Sequence, residues 1–247
     1  MRPHIINQLT LYCVVQRTKQ NMIIAENLIQ CDAYPLPEGG ILVVKKNVCV
    51  NRVLKLVQSF SRTQAWFKEN VGIDVDTISS DPDAKFERVY TFDAATFVPM
   101  VTYPPEVFTS KPATELSSIK VDQCIIGTCV GGTLDDLRAA AEILNGKPVH
   151  PDVRLLISPV SQKVYVQASR EGLLATLAEA GAKIIAPTCD VCLGVQGPLA
   201  PGEVGISQQT LNVPGRSGSP EADIYLASAA TIAASAAAGH ITAPSIA

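Results

Sequence analysis

The chain has 247 residues, of which 47% are hydrophobic and 17% charged, with a formal net charge of −3. That length holds one large or two modest domains with a real core, and that composition excludes a disordered chain. The charge balance shows no basic cluster and no apolar run is long enough to span a bilayer, so no nucleic-acid partner and no membrane partner are expected.

At the start, His4 and Asn7 interrupt any apolar stretch after Met1-Arg2-Pro3. No signal peptide is expected, and a reducing, cytoplasmic setting follows. Residues 1–77 read as a smaller, divergent α/β segment. Met22 to Ile29 has helical periodicity, Tyr34 to Gly40 is a turn, and Ile41 to Val44 is a short strand. Val53 to Asn70 reads as an amphipathic helix with Val53, Leu56, Val57, Phe60 and Phe67 on one face, stopped by Gly72. Residues 78–118 read as a connector. It has a turn at Asp81-Pro82-Asp83, a weak strand at Val89 to Phe92, and an extended Tyr103-Pro104-Pro105. A domain boundary is placed near Leu116.

From Ile119 the pattern sharpens. Val121 to Gly127 reads as a strand. Thr133 caps a helix from Leu134 to Leu144, with Asp136 as a short capping-box acid, and Gly146 and Pro148 end it. Val153 to Ile157 is a strand, Ser161 to Glu171 and Leu173 to Ala180 are helices, and Lys183 to Ala186 is a strand. Val204 to Ser207 and Ile224 to Leu226 are short strands. Ala229 to Ala238 is an alanine-rich helix with Gly239 just beyond it. Strands alternating with helices imply an α/β fold with a mostly parallel sheet covered on both faces.

Two loops on this frame carry chemistry. Ile125-Ile126-Gly127-Thr128-Cys129-Val130-Gly131-Gly132 is an apolar strand feeding a glycine-rich turn with a cysteine. Ala186-Pro187-Thr188-Cys189-Asp190-Val191-Cys192-Leu193-Gly194 places a C-x-x-C after another strand. Both follow carboxyl ends of strands, the edge where open α/β sheets bind ligands. Three thiolates suit a soft metal centre, although a bare C-x-x-C is also a zinc half-site or a redox pair. Seven cysteines, an odd count, give no disulfide framework. Cys13, Cys31, Cys49 and Cys124 read as core fillers. Arg216, between Gly215 and Gly218, reads as a solvated loop residue or an anion binder. His150 and His240 sit at element ends and can cap carbonyls. No side chain is singled out as catalytic.

The wider pattern resembles the aconitase superfamily, in the branch of 3-isopropylmalate dehydratase and homoaconitase large subunits. The resemblance rests on Ile126-Gly127-Thr128-Cys129, Asp135 to Leu144, Val153-Arg154-Leu155, Glu179-Ala180-Gly181-Ala182, Cys189 to Gly194 and Tyr225-Leu226-Ala227-Ser228, with Ser80 to Ala84 in the connector. It implies that 119–247 is a three-layer α/β/α, flavodoxin-like domain holding a 4Fe–4S cluster on Cys129, Cys189 and Cys192. It also implies a hydro-lyase acting on a small hydroxy-dicarboxylate, with Arg216 on a substrate carboxylate and a small-subunit swivelling-domain protein completing a heterodimer. The sequence departs from the family in places. Cys-Thr-Asn-Gly is here Cys129-Val130-Gly131-Gly132. The glycine before the C-x-x-C is Thr188. Asn-Arg-Asn-Phe-x-Gly-Arg is Thr210 to Arg216, with Leu211 in place of the first arginine. The first half of a family large subunit has no counterpart. These departures define the competing readings, a non-catalytic binding or structural domain of the same descent, or a zinc or redox C-x-x-C domain.

Overall fold

A computed structural model describes residues 15–17, 22–24, 41–46, 61–74, 88–93, 98–105 and 109–245. The chain divides into two compact units, one holding Val14–Ala25 and Glu38–Ala94, the other Ala95–Ala247 with two earlier stretches.

In the first unit, β1 (Val15–Arg17) pairs antiparallel with β2 (Met22–Ile24), and β3 (Ile41–Lys46) pairs antiparallel with β4 (Arg88–Asp93). The strand expectations at 41–44 and 89–92 are met. The helical reading of Met22 to Ile29 gives way to a strand at 22–24, where two β-branched isoleucines suit an extended pair better than a helix. Helix α1 (Ser61–Val71) is the described part of the expected 53–70 helix; 53–60 lie outside the described residues.

The second unit is built on one seven-stranded sheet. Its strands are β5 (Met100–Thr102), β6 (Ser110–Pro112), β7 (Gln123–Ile126), β8 (Arg154–Ile157), β9 (Lys183–Ile184), β10 (Val204–Ser207) and β11 (Asp223–Leu226), in the order β6-β5-β11-β10-β7-β8-β9. The five strands from β11 to β9 are parallel. β5 and β6 form an antiparallel hairpin that extends one edge, with β5 against β11. Tyr103-Pro104-Pro105 opens the turn of that hairpin rather than an extended run. Pro112 is tolerated because β6 is the edge strand.

Helices α2 (Leu134–Leu144), α3 (Gln162–Arg170), α4 (Leu173–Glu179) and α5 (Ala229–Ala238) pack among themselves: α2 against α3, α4 and α5, and α3 against α4. Their starts are chemically marked. Thr133 and Asp136 form a complete capping box, and Ser161 and Ser228 cap the next turns. Gly239 closes α5 in the left-handed region at φ +80°.

Strand alternation sorts the core. Cys124, Ile126, Leu155, Ile157, Ile206 and Tyr225 join the helix side. Ile125 and Leu156 face the other way with Ile185 and Val191, and Ile224 and Leu226 with Leu199 and Ala222. Among the described residues, that second face is covered by loops. The β9–β10 and β10–β11 connections carry Gly194, Gly197, Pro198, Pro201 and Gly202, then Pro214, Gly215, Gly218 and Pro220, a composition that cannot sustain a helix.

The connectivity reverses at β7. The chain runs β7 to β8 to β9 in one direction, then returns to β10 and β11 on the other side. The gap between the carboxyl ends of β7 and β10 is a topological switch point, where loops diverge and leave a crevice. No described helix is long and apolar enough to cross a membrane.

Candidate metal centre

The loop after β7 turns sharply because its glycines allow it. Gly127 has φ +125° and Gly132 φ +68°, and a Cβ on either would run into the Ser158 carbonyl oxygen, at 2.6 Å for Gly132. The loop is fastened from the other side by Gln208, whose Oε1 accepts the N–H groups of Gly127 and Gly132 at 3.1 Å each. Cys129 lies in this turn and is exposed.

The C-x-x-C loop is fastened by Ser158. Its hydroxyl lies 3.1 Å from the Ala186 carbonyl and 3.4 Å from that of Thr188, and it accepts the Thr188 N–H at 3.4 Å. Val191, fully buried, anchors the turn to the second face of the sheet. Leu193 N–H donates to the Cys189 carbonyl at 3.2 Å and Val195 N–H to that of Asp190 at 2.8 Å, which closes the turn. Gln196 Nε2 donates to the Asp190 carboxylate at 3.1 Å. Ser217 donates to the Cys192 carbonyl at 3.2 Å and is itself held by Gln209. Gly194 is pressed against the backbone of Ser217, so the loop carrying Arg216 lies directly on the cysteine loop.

These supports bring the three cysteines to one edge of the sheet. β7, β8 and β9 are parallel neighbours, so the loop with Cys129 and the loop with Cys189 and Cys192 leave from the same side. Thr128 Oγ1 lies 3.0 Å from Cys192 Sγ. Cys192 is 4% exposed, and Cys189 is exposed. Burial pushes the Cys192 thiol up; the Thr128 hydroxyl pulls it down, the charge of Cys129 raises it, the Arg216 guanidinium lowers it, and Cys189 raises it. Cys129, Cys189 and Arg216 thus each lie within electrostatic reach of the Cys192 thiol.

Arg216 supplies a second clue. Its Nε is buried and has no hydrogen-bond partner among the described residues. A buried guanidinium N–H without an acceptor costs free energy unless an anion meets it.

Cys124 is fully buried on the helix side, with its thiol pushed far up by burial, and takes no part in the site, as expected. Cys13, Cys31 and Cys49 lie outside the described residues. His240 Nδ1 sits 3.1 Å from the Ala238 carbonyl, and His150 packs on Gly239, so both belong to the end of α5. No three His, Cys, Asp or Glu side chains among the described residues are placed to hold one metal ion. A cubane differs from such a site because each thiolate binds a different iron. Thr128, Ser158, Gln208, Gln209 and Ser217 escaped the sequence reading. The signal available for Thr128, Ser158, Gln208 and Gln209 was their position: small polar residues or glutamines just past a strand end, where a buried loop needs its backbone groups satisfied. Ser217, in the middle of the β10–β11 connection, carried no such signal.

The sequence of this chain matches known proteins. Residues 105–239 match the model of the aconitase family (aconitate hydratase). The chain is 42% identical over 184 residues to the 3-isopropylmalate dehydratase large subunit of Moorella thermoacetica, covering 74% of this chain and 44% of that protein. It is 46% identical over 170 residues to the homoaconitase large subunit of Thermus thermophilus, covering 68% of this chain and 41% of that protein. It is 48% identical over 165 residues to the 3-isopropylmalate dehydratase large subunit of Mycolicibacterium smegmatis, covering 66% and 39%. The chain spans less than half the length of each of these relatives.

Proposed function

Because the chain belongs to the aconitase family, we propose that residues 119–245 are the cluster-binding domain of a hydro-lyase large subunit. Its reaction is the reversible dehydration of a hydroxy-dicarboxylate such as 3-isopropylmalate, in a cytoplasmic setting. The observation that carries this reading is the parallel run of β7, β8 and β9, which sends the Cys129 loop and the Cys189–Cys192 loop from one edge of the sheet, beside a loop whose Arg216 Nε is buried with no partner among the described residues.

The residues present fit a 4Fe–4S cluster. Three thiolates on glycine-shaped loops are the donor set, and the orphaned Arg216 Nε calls for an anion beside it. A cluster bound by three cysteines leaves one iron open as a Lewis acid for hydroxyl and carboxylate oxygens. Cys129, Cys189 and Cys192 hold it. Thr128 shares a hydrogen with Cys192, and Ser158 and Gln208 fix the two loops in register. Arg216 takes one substrate carboxylate through paired N–H donors. Leu211, 36% exposed, stands where the resembled stretch has an arginine. It gives up one charge-assisted carboxylate contact, worth about 1.5–3 kcal/mol, and offers apolar surface instead. That exchange favours a substrate with a branched alkyl arm over a tricarboxylate.

A small-subunit partner carrying the swivelling domain completes the assembly. The test is co-expression with a small-subunit protein of the dehydratase type, anaerobic loading, and ultraviolet detection of the unsaturated acid formed from 3-isopropylmalate. Turnover that requires both chains and disappears in Cys189→Ser supports the proposal. Turnover that survives Cys189→Ser, or none in a fully loaded pair, overturns it.

A further inference from the structure

Gln208 follows β10 directly, at the switch point, and is 4% exposed. Its Oε1 has two lone pairs, and the N–H groups of Gly127 and Gly132, the two ends of the turn around Cys129, take both. The same amide fills the space beside Gly131. A Cβ at that position would stand 2.5 Å from Oε1 and 2.6 Å from Cδ of Gln208. The family stretch Cys-Thr-Asn-Gly carries a carboxamide at position 131; here Gly131 has none, and a carboxamide arrives from the neighbouring strand. With Oε1 saturated, Nε2 is the free end of the amide, and it makes no hydrogen bond with the described residues.

We propose that Gln208 is the positioning residue of the Cys129 loop. Its carboxamide replaces a side chain at position 131, clamps both ends of the turn, and offers Nε2–H to the anionic sulfur of the group the cysteines hold. The clamp stands on this chain's own geometry; the donor role rests on the cluster reading.

The experiment uses the full chain and four variants: Gln208→Ala, Gln208→Glu, Gly131→Asn, and the double change Gly131→Asn with Gln208→Ala. The first readout needs no cluster. It is the rate of Cys129 alkylation by iodoacetamide, followed by mass spectrometry, with Cys189 as the internal reference. Gln208→Ala frees the turn and raises the Cys129 rate several-fold. Gly131→Asn collides with Gln208 and does the same. The double variant returns towards the wild-type rate, because the asparagine carboxamide then has the space, a coupling that independent sites do not show. Gln208→Glu keeps the acceptor for both N–H groups, so the rate does not rise; the added negative charge disfavours the Cys129 thiolate and can only slow it. The second readout is the midpoint potential of the reconstituted cluster. Gln208→Glu lowers it, because a donor becomes a negative charge beside sulfur. Unchanged alkylation in Gln208→Ala, or additive effects in the double variant, overturns the clamp. An unchanged potential in Gln208→Glu overturns the donor role. A wild-type chain that takes up no cluster overturns the proposed function and the donor role together, while the alkylation rates still judge the clamp.

Discussion

Under the proposed function, Arg216 trades stability for binding. Its Nε is buried without an acceptor, so the unloaded fold bears a desolvation cost at this site. Replacing the guanidinium with an apolar side chain of similar length removes that cost and, on the proposed function, the carboxylate contact as well. Arg216→Met is therefore expected to raise the melting temperature of the unloaded protein while weakening 3-isopropylmalate binding to the loaded protein about tenfold or more. Thermal unfolding and calorimetric titration check the two halves separately. A variant that melts lower and binds as well as wild type would show that Arg216 is a structural residue. Arginine between glycines was legible in the sequence as a candidate; its buried, unpartnered nitrogen was not, because burial of a loop residue depends on the neighbouring cysteine loop.

At the scale of elements, the sheet has a polar clamp at the edge opposite the cysteines. Arg154, at the start of β8, donates to Glu203 at 2.8 and 2.7 Å and to Gln123 Oε1 at 3.1 Å, tying β7, β8 and the approach to β10. The Arg154 hydrogen bond, foremost, holds the Glu203 carboxyl below its usual value. A carboxylate depressed in the folded state contributes stability above its unfolded pKa of about 4.3, and that contribution is lost as pH falls through the folded value. Both side chains are partly exposed, so the pair is worth about 0.5–1 kcal/mol. Glu203→Gln should lower the melting temperature near neutral pH and converge on wild type in acid. Parallel melting curves across that range would remove the clamp from the account.

The loops that cover the second face make a sharper contrast. Gly202 (φ +78°) has nothing near the Cβ position, whereas a Cβ on Gly218 (φ +141°) would strike the Leu199 backbone. Gly202→Ala should cost about 1–2 kcal/mol from conformation alone. Gly218→Ala should cost more, because Leu199 must also move, which chemical denaturation can measure. Equal losses would mean the loop layer yields freely.

Over the whole molecule, legibility follows how local the determinants are. Thr133 with Asp136, Ser161, Ser228 and Gly239 are local signals, and the helices they bound start and stop within a residue or two of expectation. The β5–β6 hairpin was hidden because three-residue strands have no period to read, and their pairing is a long-range choice. The loops that lie over the second face among the described residues were hidden for a related reason: the alternation of strands and helices is the same whether the return connections are helices or glycine- and proline-rich loops. At the site, the cysteines announced themselves by spacing and context. Gln208 and Ser158 did not, since a lone buried glutamine or serine has no pattern until the loops it ties are in place.

The account turns on Cys129, Cys189 and Cys192 acting together. Its most direct test is iron and acid-labile sulfide per chain after anaerobic reconstitution, in wild type and in Cys129→Ser, Cys189→Ser and Cys192→Ser. The expected result is a stoichiometric 4Fe–4S chromophore in wild type and its loss in each single variant, because thiolate binds iron far better than a hydroxyl does. Stoichiometric zinc with no iron chromophore, or full iron loading in Cys129→Ser, would contradict it.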